Sequence, residues 1–423
     1  MRNKSLIKAI KNPYVFSIIS KITLVMLGFI YSVCQSRYLG AALKGDVAYI
    51  TSITSITSII FGCGVHQAYP YFKKKTGEDV APLFMKLSVL MMVIYLAVAG
   101  VLTLIMHLDF SLGAVFILTP CLVYTKIVAY INMVENPNKK NITELIVSII
   151  EVIIVVGFWL KVPASIYIGI FIFAVKDLIL AIIYTYRMRV PLLESVEFSV
   201  VHCQEIFRFG IFPMLILLMT TLNYRVDIIM LKQFVTSTDV GIYSVGVMLA
   251  ERVWMIPDAM KEVMISNLAK GKGIEEVSFV IRVCNLACII VVVGIILLGQ
   301  PFINLFYGVE YAPAYSVTVV ILIGVVFMVY YKTIGAYNIV EGKQKDNFIY
   351  LVISVICNLV LNIILIPRFG NLGAAIASIF SYAVSAGLFT RKFVYDNNVN
   401  IKDMLLPNQA DLFRLRQAIS KNI

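Results

Sequence analysis

Charged side chains inside long apolar runs are the residues of this chain whose types and spacing point to chemistry. Arg225 and Asp227 lie two residues apart in one run, and Glu251 and Arg252 are adjacent in the next. An ionisable side chain at membrane depth costs from about 2.5 to more than 10 kcal/mol unless it faces protein or a water-filled cavity. The stretch 221–270 is therefore predicted to hold a polar molecule or to let one pass.

A second group of charges lies in the first half of the chain. Lys176 is about twelve residues into its apolar run, as Arg252 is in its own, so both are expected ~18 Å deep, near the middle of a bilayer. Adjacent helical residues point about 100° apart, so Lys176 and Asp177 need partners from other helices or from water. Interhelical ion pairs are one explanation, and we favour the other, a hydrated cavity with a net positive wall. The basic residues within apolar runs that we assign to this cavity are Lys21, Lys126, Lys176, Arg225 and Arg252.

Other polar residues in the runs have simpler interpretations. Basic residues near the ends of runs are expected to extend to the membrane surface; they include Arg208, Arg282 and Lys332. Pro257 is expected to bend its helix, because proline removes one backbone hydrogen bond. Asn358 and Asn362 are four residues apart and so share a helix face, where they either meet a cargo or pack between helices.

Composition defines the class of protein that carries these charges. Hydrophobic residues make up 60% of the 423 residues and charged residues 14%, against roughly 25% charged in soluble domains. The apolar runs are near the ~20 residues that a helix needs to cross a bilayer, whereas a membrane β-barrel has alternating segments of ~10. We predict an all-α integral membrane protein. The net charge of +12 is spread over loops and runs, which favours lipid head groups and an anionic cargo over nucleic acid as partners.

Twelve membrane spans are predicted, with short loops and no inserted soluble domain. They cover approximately residues 15–36, 45–69, 82–106, 111–134, 141–160, 164–186, 209–231, 240–264, 277–298, 312–338, 347–366 and 371–393. The start, MRNKSLIKAIKN, resembles a signal peptide, but Lys21 and the lack of a small-x-small cleavage site favour an uncleaved first span. With the amino terminus inside, twenty-one loop and terminal Lys and Arg residues are cytoplasmic and five are external. Both termini are therefore predicted to be cytoplasmic.

A short internal sequence repeat divides the predicted spans into two halves. The tetrapeptide 46–49 (DVAY) opens the second span and the pentapeptide 239–243 (DVGIY) opens the eighth, 193 residues later, each after a polar hairpin. An offset of six spans indicates a parallel repeat about an axis along the membrane normal. We predict two six-helix lobes that enclose a cleft. Their bounds are residues 1–190 and 205–395, with a cytoplasmic link at 191–204 and a cytoplasmic tail at 396–423.

Motifs for a metal, a nucleotide or an enzyme reaction are not found in the sequence. Cys284 and Cys288 are one helical turn apart, but no histidine or second cysteine pair completes a metal site. A GxxxxGK[ST] loop is also missing, which disfavours ATP hydrolysis as the driving force. We expect no cofactor, and H+ or Na+ as the coupling ion. The carboxylates assigned to ion coupling or charge balance are Asp227, Glu251, Asp177 and Glu151.

Several stretches together resemble flippases of the Wzx type, which move O-antigen or capsule repeat units. These are SRYLGAALKGDVAYITSI, the region from TLNYRVDIIMLKQF to VGIYSVGVMLAERVWMIPDAM, YNIVEGKQK, and NLVLNIILIPRFGNLGAAIASIFSY. The resemblance covers nearly the whole chain and places it in the superfamily of MATE exporters and lipid II flippases. It implies two six-helix bundles in a V-shaped, MATE-like fold. The twelve predicted spans depart from lipid II flippases, which usually have two more.

The resemblance also implies a cargo and residues that meet it. The cargo is an undecaprenyl-diphosphate-linked oligosaccharide, moved by alternating access from the cytoplasmic to the outer leaflet of a bacterial inner (cytoplasmic) membrane for lipopolysaccharide or capsule synthesis. Expected partners are membrane lipids and the polymerase and chain-length regulator of the same pathway. The residues that match the family pattern are Arg225, Asp227, Arg37 and Asp46. Arg37 thereby joins the basic residues that bind the cargo, and Asp46 joins the carboxylates assigned to ion coupling or charge balance. A diphosphate that loses its hydration in the cleft would gain about 1.5–3 kcal/mol from each charge-assisted hydrogen bond.

Two other functions are weighed against the flippase. A cation-coupled drug exporter of the MATE type would favour carboxylates and aromatic residues over basic ones, because its cargo is cationic. A membrane polymerase or glycosyltransferase would need a large external loop or an acidic DxD cluster. The longest predicted external link covers only 299–311, and no DxD occurs. The count of basic residues within the runs favours the flippase.

Overall fold

The computed structural model describes residues 13–76, 80–106, 110–188, 200–271, 273–411 and 413–414. All regular structure in these residues is helical, which confirms the predicted all-α class. The basic start at 1–12 and the last residues of the tail, 415–423, lie outside the described part. So does most of the predicted link at 191–204, of which residues 200–204 belong to a long helix.

The helices of the first half follow one another with short connections. Their bounds are α1 Pro13–Gly62, α2 Val65–Thr76, α3 Ala81–Met106, α4 Phe110–Glu135, α5 Pro137–Lys161, α6 Ile166–Met188 and α7 Val200–Phe234. Two compact units divide the chain, Met1–Leu218 and Met219–Ile423. The division lies within α7, so this helix contributes to both units.

The second half begins with the carboxyl-terminal part of α7. Its further helices are α8 Ser237–Glu251, a 3-10 turn Arg252–Trp254, α9 Met255–Ala269, α10 Glu275–Phe306, a 3-10 turn Val309–Tyr311, α11 Ala314–Val340, α12 Gln344–Asn397 and a 3-10 turn Ile401–Met404. Helix α10 continues through Pro301 to Phe306. The predicted external link at 299–311 is therefore mostly helical.

Ten helical stretches in the described residues are long and apolar enough to cross a membrane. The first and the last are each broken by a glycine with non-helical backbone angles, Gly40 (φ 70°) and Gly370 (φ 53°). In α12 the Ser354 hydroxyl donates to the Ser381 carbonyl oxygen at 2.7 Å, although a straight helix would separate these residues by about 40 Å. The chain must therefore reverse at Gly370. With these two breaks, the ten stretches contain segments that match the twelve predicted spans.

The outer surface of the helices is apolar, as a lipid environment requires. Leu160, Leu297, Ile105 and Ile182 are among the most exposed large hydrophobic side chains, each at least 68% exposed. Buried positions hold small and polar residues as well as large ones, which is common where membrane helices approach closely. The protein is a multi-pass membrane protein.

A glycine pair fixes the start of α7 against the first unit. Gly64 follows α1 with a φ of +67°, and a Cβ atom there would lie 2.0 Å from the Gly210 carbonyl oxygen. Positive φ and this close backbone approach both favour glycine. Beside the contact, the rings of Tyr71 and Phe209 stack with centroids 4.4 Å apart. The amino-terminal part of α7 is thus held closely within the first unit.

The tail after α12 packs against α10 through a buried charge pair. Nε and Nη2 of Arg282 donate to the Asp411 carboxylate at 2.7 and 2.8 Å, and Nη1 donates to the Asp403 carbonyl oxygen at 2.6 Å. Arg282 and Asp411 are each 2% exposed. Burial opposes ionisation of Asp411, but the hydrogen bonds from Arg282 outweigh it and hold the pKa of this carboxyl below its usual range. The expectation that Arg282 extends to the membrane surface is wrong, because its side chain is buried and Asp411, Glu275 and the Asp403 carbonyl oxygen hold its guanidinium.

Candidate functional site

The second unit contains a pocket of about 420 Å³ where α7, α8 and α9 meet. Its lining combines charged, aromatic and thioether side chains, a composition suited to a small ligand with both polar and apolar parts. The lining residues are Tyr224, Arg225, Met248, Glu251, Arg252, Trp254, Met255 and Asp258. All eight fall in the stretch 221–270, the region that the sequence predicts to hold or pass a polar molecule.

A break in the helix shapes this pocket. The span predicted as one helix over 240–264 is divided by the 3-10 turn Arg252–Trp254. Pro257 follows directly, and its missing N–H removes a backbone hydrogen bond to the turn before it. The Met255 N–H instead bonds the carbonyl oxygens of Arg252 and Val253. The predicted bend at Pro257 therefore corresponds to this turn, which presents Arg252 and Trp254 to the pocket.

One of the two pocket arginines is paired and the other is not. Arg225 Nη2 lies 3.2 Å from Glu251 Oε2, and the two side chains are 35% and 17% exposed. The sequence places Glu251 beside Arg252, but neighbouring helical residues point in different directions, and Glu251 turns to α7 instead. Arg252 has no hydrogen-bond or ion-pair partner in the part of the chain that the structure describes. Its guanidinium is available to a ligand in the pocket.

Asp258 is the second carboxylate of the pocket, and lysines neutralise it. Both of its oxygens accept hydrogen bonds from Lys332 Nζ, at 3.0 and 2.8 Å, and one also accepts from Lys261 at 2.6 Å. The Lys332 ammonium also lies 5.2 Å from the centre of the Trp254 ring, within cation–π range. Lys332 is therefore bound by residues of neighbouring helices. The expectation that its side chain extends to the membrane surface is wrong. The pocket and these lysines contain four basic and two acidic side chains.

Two atoms of the lining lack hydrogen-bond partners among the described residues. They are Glu251 Oε1 and the indole Nε1 of Trp254, and both are buried. Trp254 packs in an aromatic cluster, with ring centres 4.8 Å from Tyr224 and 5.8 Å from Tyr382. Trp254 and Tyr382 were not predicted from the sequence as site residues. The available signal was that Trp254 is one of only two tryptophans and is next to the charged pair.

Asp227 lies outside the pocket, in the interior of the second unit. It is 2% exposed. Tyr243 Oη donates to its Oδ2, and so does Ser378 Oγ at 3.3 Å; the Ile228 N–H donates to Oδ1 at 2.8 Å. No Lys or Arg of the described residues comes within ion-pair distance of it. Asp227 is therefore a buried carboxylate held by neutral donors, on the same helix as Arg225 but with different partners.

Amides and hydroxyls continue from Asp227 along the same unit. Asn223, one turn earlier on α7, donates to Ser354 Oγ at 3.1 Å and accepts from Ser381 Oγ. Asn362 donates to Asn358 Oδ1 at 2.9 Å, and both are fully buried. The prediction that this pair shares a helix face is confirmed. Its packing explanation agrees with the burial.

The first unit brings together a different set of the predicted residues. Lys176 Nζ lies 3.2 Å from Glu151 Oε2, and Glu151 is 7% exposed as a side chain. The partner of Lys176 therefore comes from another helix, as its adjacency to Asp177 requires. Lys126 Nζ donates to Ser58 Oγ at 2.7 Å. The Asp177 carboxylate has no hydrogen-bond or ion-pair partner in the described ranges.

The remaining predicted residues lie in α1, with Arg37 and Asp46 on either side of the Gly40 break and Lys21 well before it. Lys21 and Arg37 are exposed, and Asp46 is partly buried. Helix α1 also contains a pair that we did not predict, because Lys44 Nζ donates to Gln35 Oε1, which joins the two sides of the Gly40 break. A separate cavity of about 450 Å³ in this unit is lined by nine residues, none of them charged: Met92, Cys121, Tyr124, Thr125, Leu178, Ala181, Ile182, Thr185 and Tyr186. The charges of the first unit do not line it.

Residues 13–256 match the family described as "Polysaccharide biosynthesis protein". Over 175 residues the chain is 28% identical to the "Probable flippase AglR" of Haloferax volcanii. That match covers 39% of this chain and 37% of the relative. The aligned region is therefore only about a third of that protein's length.

Solved transporter structures are similar over nearly the whole chain. One is the "Lipid II flippase MurJ, inward closed conformation", with a TM-score of 0.72, 17% identity, and coverage of 92% of this chain and 89% of that one. Another is the inward-facing conformation of a multidrug resistance MATE family transporter of the MOP superfamily, with a TM-score of 0.65, 13% identity, and coverage of 90% and 98%. At these identities the likeness establishes the fold, and it confirms the predicted MATE-like class.

Proposed function

Since the chain belongs to the polysaccharide biosynthesis protein family, we propose that it is a flippase for a lipid-linked oligosaccharide. The cargo is an undecaprenyl-diphosphate-linked repeat unit, moved by ion-coupled alternating access from the cytoplasmic to the outer leaflet. The similarity to a probable flippase supports this proposal. The protein then resides in a bacterial inner (cytoplasmic) membrane with both termini in the cytoplasm, and it supplies a polymerase and a chain-length regulator.

The observation that carries the proposal is the unpaired arginine of the second-unit pocket. Arg252 lies in a membrane-length helical stretch, lines a pocket of about 420 Å³ and has no partner among the described residues. A cation kept at this depth without a counter-charge is costly. A phosphate oxygen would offset that cost, because a charge-assisted hydrogen bond contributes about 1.5–3 kcal/mol.

The surroundings of Arg252 favour an anionic cargo over a cationic one. Glu251 is bound to Arg225, and Asp258 is bound to two lysines. The carboxylates are therefore already compensated, and the charge left for a ligand is positive. A cationic drug would meet Arg252 with no free carboxylate to offset the repulsion.

We assign ion coupling to Asp227 rather than to the paired carboxylates. Glu151 and Glu251 each have a basic partner at 3.2 Å. Asp177 has no partner among the described residues but is only partly buried, whereas Asp227 is 2% exposed and held by neutral donors. An ionised carboxylate in such a place needs a proton or a bound cation to offset its desolvation. H+ or Na+ exchange at Asp227 would supply this change of charge. Asp227→Asn is then expected to make transport independent of an imposed proton or sodium gradient.

The direct test is leaflet exchange in proteoliposomes that contain an undecaprenyl-diphosphate oligosaccharide. A membrane-impermeant probe of the glycan reports how much cargo reaches the outer leaflet with and without the protein. The proposal expects protein-dependent exchange that Arg252→Gln reduces. Arg208→Gln is the matched control, since Arg208 is exposed on the part of α7 that belongs to the other unit. Absence of exchange under both gradients, with the protein folded, would refute the flippase and favour export of a small molecule.

A further inference from the structure

Three polar groups of the second-unit pocket lack partners among the described residues. They are the Arg252 guanidinium, the Trp254 indole N–H and the Oε1 atom of Glu251. The last two are buried, and Trp254 is 5% exposed as a whole. A buried donor or acceptor without a partner costs about 1–3 kcal/mol. Three polar groups without partners, two of them buried, therefore surround one pocket. This arrangement points to a ligand that satisfies all three.

The three groups require different hydrogen-bonding partners from that ligand. Arg252 and the indole of Trp254 only donate, so each requires an acceptor. Ionised Glu251 only accepts, so its Oε1 requires a donor. A phosphate group offers acceptors alone, so it can bind Arg252 but would meet Glu251 with a like charge and cannot satisfy all three groups. An ammonium cation offers donors alone and would face Arg252 with a like charge.

A hydroxyl both donates and accepts, so a ring with several hydroxyls can satisfy Glu251 and Trp254 at once, while a phosphate of the same cargo accepts from Arg252. The apolar part of the lining suits the carbon skeleton of such a ring. Tyr224, Met248 and Met255 lie beside Trp254 around the pocket, and aromatic rings provide flat apolar faces with large contact area. The volume of about 420 Å³ is within the usual range for small-ligand sites, roughly 300–1,000 Å³.

We propose that this pocket holds one saccharide ring of the transported glycan, with Glu251 and Trp254 as residues that determine which sugars are accepted. The proposal rests on the proposed function, because it takes the cargo to be an oligosaccharide. It adds that sugar hydroxyls are recognised at Glu251 and Trp254, next to the arginine that attracts the anionic part of the cargo. The flippase would then select its glycan as well as its lipid diphosphate.

The chain contains an intrinsic fluorescent reporter for this pocket, Trp254. Of its two tryptophans, Trp254 lines the pocket and Trp159 is 43% exposed on α5. In a Trp159→Phe protein in lipid vesicles, the fluorescence under tryptophan-selective excitation therefore comes from Trp254 alone. The probes are glucose, galactose, N-acetylglucosamine and glucuronate, each titrated to its solubility limit, with inorganic pyrophosphate and choline as the anion and the cation.

At least one sugar is expected to give a saturable change in Trp254 fluorescence. Glu251→Gln should weaken that binding about tenfold, since the amide is not an acceptor of equal strength. Glu205→Gln is the matched control, because Glu205 is a half-exposed carboxylate bound to Lys75 and lies outside the pocket. No saturation with any sugar, or a sugar affinity that Glu251→Gln does not alter, would overturn the proposal.

Transport separates this inference from the proposed function. Two lipid diphosphates with the same lipid and different glycans are compared in proteoliposomes, and the ratio of their exchange rates is measured. Glu251→Gln and Trp254→Phe are expected to bring that ratio closer to one. Exchange with an unchanged ratio would refute the sugar site and leave the flippase standing. If the wild-type protein exchanges neither lipid, the flippase fails, and the fluorescence titration alone decides whether the pocket binds sugar.

Discussion

The two units contain ion pairs of the same length that have different surroundings. In the first unit Lys176 and Glu151 are 3.2 Å apart, and in the second Arg225 and Glu251 are also 3.2 Å apart. The first pair lies apart from its unit's cavity, which has no charged lining. The second lines a pocket together with the unpaired Arg252. A charge in an apolar run therefore does not by itself mark a site, and neither does the lack of a partner, since the Asp177 carboxylate has none among the described residues and lines no part of the first unit's cavity. An unpaired charge that lines a pocket, as Arg252 does, marks the site.

The backbone explains much of this difference. Glu151 belongs to the buried face of α5, an unbroken helix. A regular helix lets such a face pack closely, so the Glu151 side chain is only 7% exposed, against 17% for Glu251. In the second unit the 3-10 turn before Pro257 interrupts the helix and turns Arg252 and Trp254 toward the pocket. The broken helix therefore creates the polar opening that the unbroken one lacks.

The largest expected effect is on stability in the first unit. Lys176→Met leaves Glu151 buried without a partner and is expected to lower the free energy of unfolding by about 3–5 kcal/mol. Lys176→Met combined with Glu151→Leu removes both charges and should recover most of this loss. Denaturation of the detergent-solubilised protein measures both. If the double variant is as unstable as the single one, the unpaired Glu151 carboxylate is not the cause of the loss, and the prediction is wrong.

The tail contributes a third ion pair, Arg282 with Asp411, in which both side chains are almost fully buried. Asp411→Asn is expected to cost about 1.5–3 kcal/mol at neutral pH, because it weakens the charge-assisted bonds to Arg282. The pKa of Asp411 is held below its usual range. The contribution of its charge is therefore complete above the unfolded pKa of about 3.9 and is lost as the pH falls through the lower folded value. Unfolding curves of both proteins between pH 7 and pH 3 measure this, and a difference that grows on acidification would contradict it.

A smaller effect, on transport alone, is expected for the unpaired arginine. Arg252→Gln leaves no carboxylate without a partner, so the free energy of unfolding should change by less than about 1 kcal/mol. Exchange of the lipid-linked glycan should nevertheless fall about tenfold or more, as expected when a charge-assisted contact to cargo is lost. Arg225→Gln is the comparison variant, since it leaves Glu251 unpaired and should impair both properties. A stability loss for Arg252→Gln equal to that for Arg225→Gln would mean that Arg252 has a structural role.

The smallest expected effect concerns the start of the helix that leads to the pocket. The Thr236 hydroxyl accepts from the Asp239 N–H at 3.2 Å, and Asp239 accepts from the Thr236 N–H at 3.3 Å. This capping box begins α8, which ends at Glu251. Thr236→Ala is expected to cost about 1 kcal/mol of stability, measured by denaturation. Thr236→Ser keeps the acceptor and should stay near the wild type, so an equal loss in both variants would exclude the cap as the cause.

The fold was largely predictable from the sequence, because apolar runs of membrane length and the turns between them are local signals. Twelve predicted spans correspond to helical segments, and the bend expected at Pro257 coincides with the 3-10 turn. The site was only half predictable. Arg225, Glu251 and Arg252 were expected to matter, but the pairing of Arg225 with Glu251 joins residues 26 positions apart on different helices. Partner choice depends on how helices pack, and that is not a local property.

The same limit explains why Arg282 and Lys332 were interpreted incorrectly. Both are near the ends of apolar runs, where a long basic side chain usually reaches the membrane surface. Arg282 instead binds Asp411, 129 positions away, and Lys332 binds Asp258, 74 positions away. A single sequence without its packing gives no sign of these contacts.

The most direct test of the account compares two variants in one leaflet-exchange assay. One is the charge-neutral double variant Lys176→Met with Glu151→Leu, and the other is Arg252→Gln. We expect the double variant to exchange the lipid-linked glycan at a rate within about threefold of the wild type, and Arg252→Gln to exchange it about tenfold or more slowly. The opposite result, with exchange lost in the double variant and kept in Arg252→Gln, would place the cargo contact in the first unit and contradict the account.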